Sequence, residues 1–129
     1  MIRLRIKDIG EDKCLSFDLI DLLTLLKEEL EHFTFKVLFV EQMLYRNINL
    51  IPSGRNLLDM EGELISFSEL LGQSSNIVQI VDGQFEGSNN GDFVHLIAFD
   101  STFWEIETNV PQVVEKVKGQ FTDVEVEVY

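Results

Sequence analysis

From Asn76 onward the hydrophobic pattern changes from helical spacing to a run of strand segments divided by turn-forming residues. Ile77 to Phe85 reads as one strand, Phe93 to Phe99 as the next and Phe103 to Glu107 as a third. Glu86 to Asp92 has the composition of a long hairpin loop, and Asp100-Ser101-Thr102 that of a second turn. A meander of this kind argues for a sheet that is mostly antiparallel. Val124, Val126 and Val128 alternate with Glu125 and Glu127 in a last strand.

The first half supplies the layer that covers such a sheet. Residues 2–7 alternate strictly, with Ile2, Leu4 and Ile6 on one face and Arg3, Arg5 and Lys7 on the other. Gly10 to Lys13 reads as a turn. Ser16 is placed to cap a helix over Phe17 to His32, along which Leu19, Leu22, Leu23, Leu26, Leu30 and Phe33 form an apolar stripe. Phe35 to Met43 is apolar on both faces, which suits a central strand. Asn47 to Asn56 reads as a loop, and Leu57 to Ile65 contains an acidic turn. Ser66 and Glu69 have capping-box spacing for a short helix that ends near Gly72. Asn109, with Pro111 behind it, is placed to cap a second main helix striped by Val110, Val113, Val114, Val117 and Phe121.

These segments predict one α+β domain over residues 1–129. It would have a single, mostly antiparallel sheet of five or six strands with two main helices packed on it. A strictly parallel or mixed βαβ arrangement is the alternative. The length of 129 residues is enough to bury a core without disulfides. Cys14 is the only cysteine, which fits a reducing compartment and a cytoplasmic location. The N-terminal alternation of charge and apolar residues is unlike a signal peptide. Phe17 to Leu30 is too short and too often interrupted by charge to span a bilayer.

Charge decides which partners are physically reasonable. With 23 acidic and 10 basic residues, the formal net charge is −13. A field of that sign repels phosphate backbones and anionic membranes, and it steers cationic partners. Nucleic acid and membrane are therefore not expected as partners; a basic protein is.

The motifs of common chemistries are missing. The Gly83–Gly87 and Gly87–Gly91 spacings lack the lysine and the helix that a phosphate loop needs. Asp82, Glu86 and Asp92 do not have the spacing of a calcium loop. One cysteine and two histidines, His32 and His95, do not make a structural zinc site. No cofactor is called for. His95 lies in an apolar strand, where hydrogen-bonded packing accounts for it as readily as catalysis; His32 suits a helix C-terminus. Glu105 and Glu107 fall on one side of a strand close to Asp100, and such pairs can do acid–base work if they line a cleft.

The segment Asp100 to Glu107 attracts most attention, because it holds the only tryptophan among carboxylates. In one reading Trp104 and Ile106 face the core while Glu105 and Glu107 are solvated. In the other, Asp100, Trp104, Glu105 and Glu107 form a partner-binding face, an aromatic anchor with a charged rim. No basic residue lies within the segment itself, so a cationic partner would relieve the carboxylates.

The stretch Ile77-Val78-Gln79-Ile80-Val81-Asp82-Gly83-Gln84-Phe85, followed by Phe99-Asp100-Ser101-Thr102-Phe103-Trp104-Glu105-Ile106, resembles small uncharacterised bacterial proteins, some of them immunity proteins of toxin systems. The resemblance covers roughly the second half of the chain and assigns no residue a role. It implies a cytosolic protein that binds and neutralises a partner. Together with the charge, it makes a non-enzymatic acidic protein-binding domain, an inhibitor or immunity-type protein for a basic partner, the leading expectation. A small enzyme or ligand-binding domain using carboxylates in a cleft is the alternative.

Overall fold

The computed structural model describes residues 1–10, 15–45 and 57–128. The strict alternation at the N-terminus forms β1 (Ile2–Ile6), with Leu4 and Ile6 fully buried and Arg3 and Arg5 on the opposite face. Asp18 caps the helix that follows, not Ser16. The Asp18 carboxylate accepts the Leu19 N–H, and the Asp21 carboxylate accepts the Asp18 N–H. Ser16 instead donates to the backbone oxygen of Asp8. The expected single helix is two pieces, α1 (Leu19–Leu25) and α2 (Lys27–Leu30), separated at Leu26. The stripe survives the break, because Leu19, Leu22, Leu23, Leu26, Leu30 and Phe33 are all buried.

β2 (Thr34–Tyr45) follows, then a 3-10 turn over Leu57–Met60, β3 (Leu64–Ser66) and α3 (Phe67–Ser74). The Ser66–Glu69 capping box forms as its spacing predicts. The acidic turn before β3 lies along β2, where the Glu61 carboxylate accepts the Val40 N–H at 2.9 Å and the Gly62 N–H reaches the Val37 oxygen at 2.7 Å. The Asn47 to Asn56 loop, Cys14 and all of the Gly10 to Lys13 turn except Gly10 lie outside the described residues.

β4 (Ile77–Asn89) and β5 (Asp92–Phe99) are longer than their apolar cores suggest. Glu86 to Asp92 is not a long loop. Asn89 pairs with Asp92, and the turn is Asn90-Gly91 alone, with φ of 49° and 91°. Two positive φ values are what a tight type I′ hairpin demands, and Asn-Gly is the pair that supplies them most easily. β6 (Phe103–Thr108), α4 (Pro111–Gln120) and β7 (Val124–Val128) complete the chain. Asn109 does not cap α4. Its side chain accepts the Phe93 N–H and donates to the Gly91 oxygen, tying the β4–β5 hairpin to the end of β6. Val110 is the N-cap residue of α4, which has no side-chain cap; its own N–H donates to the Thr108 hydroxyl.

Among the described residues the sheet therefore has seven strands, in the order β3-β2-β4-β5-β6-β1-β7, against the expected five or six; there are four helices, because the first of the two expected main helices is split and the expected short helix after Ser66 forms as well. Every pairing between named strands is antiparallel, which removes the parallel alternative. β2 lies second from one edge of the sheet. The helices share one buried cluster with Leu4, Ile6, Phe35, Val37, Phe85, Val94, Leu96, Trp104 and Ile106, so they cover a single face. Val113, Val114 and Val117 carry α4 into this cluster, while Phe121 is only partly buried and rests on Phe17 with ring centroids 4.6 Å apart. Gly87 faces Phe35 across the β2–β4 ladder, and a Cβ there would lie 2.6 Å from the Phe35 ring. No described helix is long and apolar enough to cross a membrane.

Asp18 joins the helix layer to the sheet. Besides capping α1, its carboxylate accepts the Ile80 N–H at 3.1 and 3.2 Å, within the irregular part of β4. It is 5 % exposed. Burial, with a smaller push from the nearby Asp21 carboxylate, raises its pKa from 3.8 to about 7 against the pull of the Leu19 and Ile80 N–H groups. A raised carboxyl pKa means that the folded state holds the proton where the unfolded chain has lost it. The stability tied to that proton is complete below about pH 4 and is lost as pH rises to about 7, at up to about 1.4 kcal/mol per pH unit. Asp18→Asn retains a capping oxygen and no longer ionises. Urea melts at pH 5 and pH 7 should show the stability of the parent falling relative to that of the variant; a difference that stays constant with pH would refute this assignment.

Candidate protein-binding surface

The cross-strand register explains the face of the sheet turned away from the helices. Residues directly opposite one another on adjacent strands share a face. One row runs through Lys36, Glu86, His95, Glu107, Arg3 and Glu127. The next runs through Gln84, Ile97, Glu105, Arg5 and Glu125. The basic strand β1 thus lies between two strands that carry glutamates at the matching positions.

The side chains close this arrangement. Arg3 lies 2.9 Å from the Glu107 carboxylate, 3.7 Å from that of Glu105 and 3.7 Å from that of Glu127. Arg5 reaches Glu105 at 3.2 Å and Glu125 at 4.0 Å, and Lys7 reaches Glu125 at 3.0 Å. The Glu105 side chain is only 7 % exposed, and that of Glu107 19 %. Arg5 also lies over the Phe103 ring, 4.6 Å from its centre, and Phe103 stacks on Phe99 at 4.7 Å. Beyond β1, the Asp8 carboxylate accepts the backbone N–H groups of Thr122 and Asp123, which fixes the chain leading into β7.

The structure divides the four residues singled out in the sequence. Trp104 is fully buried on the helix side, against the core. Glu105 and Glu107 are together on the opposite face, but neither is the solvated carboxylate that both readings supposed, because Arg3 and Arg5 hold them. Those arginines lie about a hundred positions away in sequence, so the absence of a basic residue within the segment was no guide. Asp100 is exposed, in a turn where it and Ser101 have φ of 46° and 59°. Its N–H donates to the Asp82 carboxylate at 2.9 Å, and the Ser101 N–H donates to the Val81 oxygen. Asp100 therefore stands at the end of the sheet beside Phe99, a residue 36 % exposed.

His95 lies half-buried between Glu86 and Glu107 on the open face, and its Nε2 has no hydrogen-bond partner among the described residues. His32 is exposed, 3.4 Å from Glu31. Among the described residues, no three His, Cys, Asp or Glu side chains come together in a way that could hold a metal ion. Two hollows in the helix layer, of about 410 and 460 Å³, contain neither His95 nor Glu105, and a smaller one of about 130 Å³ over the ion pairs is lined by Glu105 with Arg3, Arg5, Glu125, Val126 and Glu127. The residues that the sequence reading passed over are Arg3, Arg5, Glu125 and Glu127. Their signal was present: basic residues on alternate positions near one end of the chain, and acidic residues on alternate positions in two later strands.

No family model matches this sequence, and neither a curated protein nor a solved structure matches it.

The ion pairs make a definite expectation. Reversing Glu105 and Glu107 to lysine would set four cations together in two adjacent, partly buried rows. Removing one side of a desolvated pair costs up to about 3–5 kcal/mol. With the arginines half-exposed, the double variant should lose at least about 2 kcal/mol in a denaturant melt. A variant as stable as its parent would show that these carboxylates are mere surface decoration.

Proposed function

We propose that this chain is a non-enzymatic, acidic protein-binding domain whose partner is a basic protein. An inhibitor or immunity-type role in the cytoplasm is the form that the sequence resemblance suggests. The observation that carries the reading is how the charge is distributed. Arg3, Arg5, Lys7 and Lys116 are all engaged with carboxylates of the same molecule, the last with Glu29 at 2.9 Å. The formal charge is −13, and among the described residues Glu41, Glu86, Asp92, Asp100 and Glu115 are exposed carboxylates beyond those that these cations engage. Such a surface accelerates encounter with cationic proteins and disfavours nucleic acid.

In this reading Asp100 meets the partner directly. Glu105 and Glu107 act at second hand, by holding the arginine side chains of β1, and Trp104 supports the strand from beneath. The alternative of carboxylate catalysis gains nothing from the geometry. Glu105 lines a hollow of only about 130 Å³, and both Glu105 and Glu107 are held by guanidinium groups, an arrangement that does not favour a free acid–base pair.

The test is capture of partners from lysate, including products of neighbouring genes, followed by stopped-flow binding of the purified partner. Association should slow by about tenfold or more between low and high salt, while dissociation changes little, because steering is screened over about 10 Å at 0.1 M salt. An association rate indifferent to salt, or failure to bind any basic protein, would overturn the proposal.

A further inference from the structure

β7 ends the sheet, and among the described residues no strand pairs with its outer side. The phase of its ladder is fixed by the Lys7 N–H, which donates to the Asp123 oxygen at 2.9 Å. Hydrogen-bonded and non-hydrogen-bonded pairs alternate along an antiparallel ladder. With Arg5 opposite Glu125 and Arg3 opposite Glu127, the backbone groups of these glutamates turn inward to β1. Those of Val124, Val126 and Val128 turn outward. The side chains complete the pattern. Val126 and Val128 are 46 % and 74 % exposed on the helix side, while the Glu125 and Glu127 side chains are 59 % and 65 % exposed on the other.

Sheet edges are commonly blunted by lysine, proline or a bulge. Val124 to Val128 has no lysine, proline or bulge; its five residues alternate valine and glutamate, so what guards this edge is negative charge, which repels acidic strands and not basic ones. The molecule also shows what fits beside such a strand. β1, with Lys7, alternates apolar and basic residues and is seated between Glu105 and Glu107 on one side and Glu125 and Glu127 on the other. The outer side of β7 offers a newcomer the same two glutamates, still 59 % and 65 % exposed beside the cations of β1 and Lys7, the same valine face, and backbone donors and acceptors that no described strand pairs with.

We infer that the outer edge of β7 is a docking site for an extended segment of a partner protein in which Lys or Arg alternates with apolar residues, added to the sheet as an eighth strand. The inference rests on the proposed function and narrows it to one surface and one kind of segment. Main-chain hydrogen bonds to Val124, Val126 and Val128 supply affinity, and cations set between Glu125 and Glu127 select the partner. A second copy of this chain is a poor occupant. Pairing β7 with itself about a two-fold axis at Val126 places Glu125 of one copy opposite Glu127 of the other, and like charges directly opposed destabilise a ladder.

The experiment is fluorescence anisotropy with two labelled peptides of the same composition, Lys-Val-Lys-Val-Lys-Val-Lys and its isomer Lys-Lys-Val-Val-Lys-Lys-Val. An acidic Glu-Val-Glu-Val-Glu-Val-Glu peptide serves as control. The alternating basic peptide should bind more tightly than its isomer by about tenfold or more, and the acidic peptide should not bind. Val126→Pro removes one outward N–H and leaves the bonds of Glu125 and Glu127 to β1 in place, a position where edge strands tolerate proline. It should weaken the alternating peptide by about tenfold or more with an unchanged circular dichroism spectrum. If Val126→Pro does not fold, Val128→Pro makes the same test near the end of the strand. Equal binding of the two basic peptides, indifferent to the proline, would overturn the edge site while leaving the choice of a basic partner standing. Binding of neither basic peptide would overturn both. Dimerisation of the parent in sedimentation, abolished by Val126→Pro, would show a second copy to be the occupant and overturn the inference.

Discussion

Arg3 and Arg5 hold together strands from opposite ends of the chain. Through β1 they link β6 to β7, and Lys7 extends the link to Glu125. On the other face Leu4 and Ile6 are buried with Trp104 and Ile106. The two faces specify the same register. A slip of one residue would carry Arg3 and Arg5 into the apolar cluster and bring Leu4 and Ile6 out of it. Charge and hydrophobicity therefore select one pairing, where either alone would leave room for others. That agreement between levels of description is what gives a sequence a single preferred structure.

The arrangement has a kinetic and an electrostatic side. The contacts between β1 and β6 join residues about a hundred positions apart, so they form only after a large loop is closed. The β4–β5 hairpin, with its two-residue turn, needs no such closure and is the natural early element. Electrostatically, 23 acidic residues repel one another in the folded state. Placing Arg3 and Arg5 on β1 and Lys7 just after it, flanked by glutamates on both sides, relieves that repulsion among Glu105, Glu107, Glu125 and Glu127. Asp18 answers the same difficulty differently, since burial and Asp21 favour its protonated form.

Several elements were legible in the sequence because their signal is local. The alternation of residues 2–7 and 124–128, the leucine stripe from Leu19 to Phe33 and the Ser66–Glu69 box all appear where the spacing puts them. What was missed depends on partners distant in sequence. Asp18 caps α1 where Ser16 was expected, and the same carboxylate also bonds Ile80 on β4. Asn109 turns from its helix to the hairpin at Phe93 and Gly91. The polar residues around Asn90-Gly91 looked like a loop because strand pairing, and not composition, extends β4 and β5 to the turn. At the candidate site, the burial of Trp104 was one of two readings weighed, but the capture of Glu105 and Glu107 by β1 was not, since nothing within the segment shows which strand lies beside it.

The central claim is that β1 holds its neighbours through charge as well as through Leu4 and Ile6. A double-mutant cycle on Arg5 and Glu105, using Arg5→Ala, Glu105→Ala and both together in urea, measures it directly. The account predicts a coupling energy of about 1–2 kcal/mol, above the 0.2–1 kcal/mol usual for exposed pairs, and a fall in that energy at high salt. A coupling near zero at low salt would contradict it, and would leave the hydrophobic face alone to define the register.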